Sequence, residues 1–141
     1  MTVSLEKAQA LKAAGWPQED GVLYWYYGKD YTKNNVRRIL WNAGGNNFVD
    51  HRREKVSCPL PSDFVVAAPT PEEILQKLPK IGAYDIDCYR HTGGWLVAYV
   101  DFSDKKVKTM VFKDEGVEFT RETLCDALSD MYIYLSQHNL L

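Results

Sequence analysis

The chain is poor in the residues from which recognisable chemistry is usually assembled. Its 141 residues include only three cysteines and three histidines. Cys58, Cys88 and Cys125 form an odd, widely spaced set without a CxxC pair. That suggests neither a zinc knuckle nor a disulfide scaffold, and the expectation is reduced, partly buried thiols. His51, His91 and His138 fall at no metal-ligand spacing, and the sequence has no HExxH. The glycine pairs Gly44-Gly45 and Gly93-Gly94 fit neither GxGxxG nor GxxxxGK[ST], so they read as turns and not as phosphate cradles. No catalytic residue, metal or cofactor is therefore expected.

Long apolar runs are also lacking. No stretch approaches the roughly 18 residues of a membrane-crossing helix, so no membrane partner is expected. The N-terminal MTVSLEKAQALKAAGW carries Glu6 and has no basic leader, so it is not expected to act as a secretory signal, and a cytoplasmic location follows. An excess of one charge is missing as well. The net charge is -2, with nine Lys/Arg against seven Asp/Glu in residues 1–68 and eight against twelve in residues 69–141. Neither half has the strong basic excess of a dedicated nucleic-acid binder. What remains, 45% apolar and 26% charged residues, describes a globular domain of ordinary size.

Periodicity supplies the architecture. Ser4 can cap a first helix whose Leu5, Ala8, Leu11 and Ala14 make a narrow apolar stripe, with Gly15 and Pro17 ending it and Trp16 folding back as a plug. VLYWYY, residues 22–27, is a strand with bulky side chains on both faces. Val36–Trp41 and Asn47–Arg52 read as two strands around Gly44-Gly45, with a short helix at 34–41 as the rival. Pro59 and Pro61 mark a loop, and Phe64–Ala67 a short strand. In TPEE, Thr70 caps a helix with Pro71 at its first position and Glu73 closing a capping box. Ile74, Leu75 and Leu78 form its buried face.

In the second half, Tyr84, Ile86 and Cys88 alternate with Asp85, Asp87 and Tyr89, which predicts a strand with one dry and one wet face. A turn at 91–94 leads into WLVAYVDF, a strand covered on both faces, and VKTMVF returns as a third. Leu124, Cys125, Leu128, Met131, Tyr132 and Leu135 then repeat on a 3.6-residue period. They predict a final helix from about Arg121 to Gln137 with Thr120 as its cap. The expected fold is α+β: one domain in the order α-β-β-(β)-α-β-β-β-α, three helices on a mainly antiparallel sheet, with residues 1–68 and 69–141 as two sub-layers.

Taken together, VSLEKAQALKAAGW, YWYY, AAPTPEEILQKL and the closing amphipathic helix resemble, in order and spacing, small proteins encoded by phages, prophages and conjugative elements of gut bacteria of the Bacteroides type. The segment KNNVRRILWNAGGNNFVDHRREKVS departs from that group in length and in basic residues. The resemblance implies mobile-element origin and an α+β fold. The group has no established activity or catalytic residues to carry over.

The function classes follow from what is left. Residues 29–55 hold seven Lys/Arg against three Asp/Glu, interleaved with aromatic residues. Tyr24, Tyr26, Tyr31, Arg37, Arg38, Trp41, Arg52 and Arg53 are the candidate interaction surface, because Tyr, Trp and Arg dominate interface hot spots. The leading expectation is a non-catalytic accessory protein that binds another protein. The alternative is a nucleic-acid-binding protein using the same basic, aromatic segment, since cations track phosphate and rings stack on bases. A small hydrolytic enzyme built on Cys88 and His91, or on the Asp85–Asp87 face, is the third class. Self-association through an uncovered strand edge stays open.

Overall fold

The computed structural model describes residues 2–19, 23–26, 37–41, 47–50, 55–57, 65–103 and 106–141, with backbone alone at Tyr26, 37–41, 47–50, 55–57 and Val65. Among the described residues, three helices and several antiparallel sheets make the fold α+β. The chain divides into two compact units, Thr2–Thr70 and Pro71–Leu141.

The first unit opens with α1, Leu5–Ala13. Ser4 Oγ accepts the Lys7 N–H at 3.2 Å, which satisfies one of the donors that a helix start leaves unpaired. The other end is closed by Gly15, at φ +92, where the chain reverses. There the Gly15 N–H reaches the Lys12 carbonyl at 3.0 Å and the Trp16 N–H reaches that of Leu11 at 2.9 Å. This reversal folds Trp16 back as a plug: it is buried, as are Leu5, Ala8 and Leu11.

α1 packs on a five-stranded antiparallel sheet in the order β4-β3-β2-β1-β5. Its strands are β1 (Leu23–Tyr26), β2 (Arg37–Trp41), β3 (Asn47–Asp50), β4 (Lys55–Ser57) and β5 (Val65–Ala67). The segment around 37–41 is thus a strand and not the rival helix. It lies between β1 and β3, and its backbone groups complete the ladders of both. β4 continues the meander in a stretch that has no strand signal of its own. The Trp25 indole N–H donates to the Val3 carbonyl at 2.9 Å, and Gln18 Oε1 accepts the Ala67 N–H at 2.9 Å, tying the chain start and the loop after α1 to the sheet.

The second unit begins with α2, Pro71–Lys77, which buries Ile74. β6 (Asp85–His91) and β7 (Gly94–Asp101) form a hairpin in which His91 pairs with Gly94, so Thr92-Gly93 is the whole turn. β7 is interior: Val97, Ala98, Tyr99 and Val100 are buried in succession, so both of its faces are covered. β6 lies along one edge. Along the other run β8 (Lys108–Thr109) and then β11 (Glu118–Arg121). Between those two the chain leaves the sheet as a small hairpin, β9 (Val111–Phe112) and β10 (Glu115–Gly116).

α3, Leu124–Gln137, closes the unit against β7, β11 and α2. Cys125, Leu128, Met131, Tyr132 and Leu135 of the expected stripe are buried, while Leu124 is half-exposed. At about 1.5–3 kcal/mol for each large side chain, this stripe is a principal source of the unit's stability. The helix start differs from the expectation. Thr120 and Arg121 belong to β11, paired with Leu96 and Trp95, and the cap is Thr123. Thr123 Oγ1 accepts the Asp126 N–H at 3.1 Å and donates to Asp126 Oδ2 at 2.8 Å. The strand wins those residues because β7 would otherwise keep an open edge over its buried centre.

Candidate interaction surface

The excursion of β9 and β10 is held by one residue of β7. The Tyr99 N–H donates to the Val117 carbonyl at 3.1 Å, and the Tyr99 carbonyl accepts the Met110 N–H at 2.8 Å. The Val117 N–H then donates to the Met110 carbonyl at 2.7 Å, closing the stem. Met110 and Val117 are buried there. Tyr99 is fixed from its other end by its hydroxyl, which donates to the Pro79 carbonyl at 2.7 Å. Burial, and then the charge of Asp85, raises its phenol well above the usual range.

At the hairpin tip both central residues, Lys113 and Asp114, have positive φ, 49 and 65. That is the turn whose twist matches a two-residue hairpin, but it is normally made with Asn and Gly. Phe112 and Glu115 are direct cross-strand partners and share one face of the ribbon.

On that face the side chains form a row. The Phe112 ring meets His138 edge to face at 5.3 Å between centroids, and His138 lies against Tyr134 at 4.3 Å. Tyr134 in turn meets Phe119 edge to face at 5.8 Å. A cation caps each end: the Lys113 ammonium is 5.6 Å from the Phe112 centroid and the Arg121 guanidinium 5.4 Å from that of Phe119. Both lie within cation–π range. Arg121 is held there by Asp130, at 2.6 Å from Nε to Oδ2, and by the Thr120 carbonyl at 2.7 Å. All four rings are half-exposed. Burial raises the Tyr134 phenol, and the nearby Glu115 carboxylate adds to it.

The row was not anticipated. His138 reads from sequence as part of a fraying end, whereas it is the C-cap of α3. Two local spacings do carry a signal: Tyr134 and His138 are four apart on one helix face, and Phe119 and Arg121 two apart on one strand face. The join between Phe112 and His138 has no local signal.

The surface expected in the first half is altered by what the fold does with Tyr24. It is only 3% exposed and pairs between Ile39 and Ala67, so it belongs to the core and not to a recognition surface. β1 is paired on both sides, by β2 and β5, and alternation turns Tyr24 inward. Tyr26, Arg37, Arg38 and Trp41 lie in β1 and β2, described by backbone alone, with Tyr26 opposite Arg37 and Trp25 opposite Arg38. Tyr31, Arg52 and Arg53 lie outside the described residues, as do Cys58, His51 and the Gly44-Gly45 pair.

The arrangement around Cys88 does not favour nucleophilic chemistry. Burial, and then Asp87, pushes its thiol up to about 11, away from the thiolate that would react. His91 Nδ1 accepts the Gly93 N–H at 3.0 Å across its own turn. Asp85 Oδ1 accepts the Ile86 N–H at 2.8 Å, a local contact in the same strand. Of the expected dry face, Ile86 and Cys88 on β6 are half-buried, as is Tyr84 just before the strand, and so is Asp87. Among the described residues no group of His, Cys, Asp and Glu is arranged to hold a metal ion, and no helix is long and apolar enough to cross a membrane.

No protein-family model matches the chain, and comparison with curated proteins and with solved structures returned no match.

Proposed function

We propose that this chain is a non-catalytic accessory protein, of the mobile-element kind its segment order resembles, that binds another protein through the ring row of its second unit. The observation that carries this reading is the row itself. Phe119, Tyr134, His138 and Phe112 are in mutual contact across β11, α3 and the β9–β10 ribbon, yet each keeps part of its surface in water. Aromatic residues in a pre-organised patch are efficient recognition elements, because they present large area at little cost in side-chain entropy.

Placing a photo-crosslinking residue at Gln137, which is exposed between Tyr134 and His138, tests it. In a bacterial extract the reading expects discrete adducts that disappear with Tyr134→Ala, and no such adducts from the exposed Lys80 position. Adducts that ignore Tyr134→Ala, or none at all, would overturn it.

The second reading is a nucleic-acid-binding role for the first unit. It is favoured by the register that sets Arg37 and Arg38 opposite Tyr26 and Trp25 in adjacent strands. Cationic and aromatic residues at paired register positions suit a single strand. Retention of single-stranded DNA that weakens with salt, and weakens further on charge removal at Arg37, Arg38, Arg52 and Arg53, supports it; no retention at low salt removes it.

A further inference from the structure

The charge of the second unit is unevenly placed. Residues 71–110 carry six Lys/Arg and six Asp/Glu, whereas residues 111–141 carry two against six, a net of -4. The whole deficit therefore falls in the segment that builds the β9–β10 ribbon, β11 and α3, which is the segment that builds the ring row. Neither of its two cations is idle. Arg121 is engaged by Asp130, and Lys113 lies over Phe112. Glu115 projects from the ribbon on the same face as Phe112 and is exposed, as is Asp114 at the tip.

Rings offer their faces to cations because of the negative charge above the ring plane, and a guanidinium can stack on a ring while its edge pairs with a carboxylate. Such a partner matches both the rings and the local charge, whereas the phosphates of a nucleic acid match only the rings. Resting on the proposed protein-binding role of this patch, we infer that its partner segment is cationic, with an arginine seated on Phe112, Tyr134 and His138 and paired with Glu115. Lys113 and Arg121 show the same contact made within the chain, one at each end of the row.

The test uses the full chain and three matched probes: a seven-residue Gly/Ser peptide with two arginines, the same peptide with citrulline at both positions, and one with glutamate. Ring and amide resonances are followed by NMR during titration. The arginine peptide is expected to shift the signals of Phe112, Tyr134 and His138, with at least tenfold weaker binding of the citrulline peptide and none of the glutamate peptide. Glu115→Gln, an exposed substitution that leaves the fold alone, is expected to weaken arginine binding at least threefold. Equal binding of the citrulline peptide, shifts confined to other residues, or no shift at millimolar peptide would overturn the inference. So would an oligothymidine that moves the same rings more strongly than the arginine peptide does. If Gln137 adducts persist while the arginine peptide fails, the patch binds a partner of other chemistry; if the adducts are missing too, the protein-binding reading itself falls.

Discussion

The rings of His138 and Phe112 meet edge to face, with centroids 5.3 Å apart. One residue caps the C-terminus of α3 and the other lies in a ribbon that has left the main sheet. A two-residue strand on each side gives that ribbon little stability of its own, because isolated hairpins are marginal in water. Its position depends on two anchors, the hydrogen-bonded stem at Tyr99 and this ring contact.

If the contact positions the ribbon, Phe112 and His138 are energetically coupled. A double-mutant cycle with Phe112→Ala and His138→Ala is expected to give a coupling of about 1 kcal/mol in urea denaturation, the usual size for an edge-to-face pair. Strict additivity of the two single changes would show that the ribbon is held by its stem alone.

The cap of α3 gives a sharper test, because two threonines compete for the role in the sequence. Thr123 accepts from the Asp126 N–H, and Thr120 sits in β11. Thr123→Ala is expected to cost about 1 kcal/mol, while Thr120→Ala, at an exposed strand position, should stay within about 0.5 kcal/mol. Chemical denaturation of the two variants side by side distinguishes them.

That competition also shows what the sequence can and cannot carry. The stripe from Cys125 to Leu135 is legible because a helix repeats its contacts every few residues, and the neighbours it needs are in the same segment. The cap is not, because whether Thr120 starts a helix or ends a strand depends on β7, whose edge needs a partner. β4 was missed for the same reason: Lys55–Ser57 has no alternation to announce it, and only β3 makes it a strand. Tyr24 reads as a surface ring when counted with its neighbours, and the middle position of β1 buries it. The ring row needs Phe112 and His138 to meet, and nothing within either segment requires that.

Among the described glycines, Gly94 is the one least able to accept a side chain. Its φ is +120, outside what L-residues readily adopt, and a Cβ there would collide with the Arg121 carbonyl of the neighbouring strand. Gly94→Ala therefore combines backbone strain with separation of β7 from β11. A loss of about 3 kcal/mol is expected from the combination. Gly116, which has open surroundings by comparison and no positive φ, should tolerate alanine with a loss below about 1 kcal/mol. Thermal melts of the two variants compare them directly.

The thiols make the last prediction, one that concerns pH. Burial raises both Cys88 and Cys125 from 9.0 to about 11, with a nearby aspartate adding to the rise in each case. A folded-state value above the unfolded one means that the folded chain holds these protons more tightly. Their contribution is complete below about pH 9 and declines as pH rises towards 11, where the unfolded thiols are ionised and the folded ones are only beginning to be. The urea midpoint should therefore fall between pH 9 and pH 11, and the fall should shrink in Cys88→Ala and again in Cys125→Ala. The same shift predicts slow alkylation. At pH 8 the two thiols should react with iodoacetamide at least tenfold more slowly than in urea-unfolded chain, because the thiolate is the reactive form and access is restricted. Rapid modification of Cys88 in the folded protein, located by mass spectrometry of its peptide, would contradict the burial assigned to it and reopen thiol chemistry on β6.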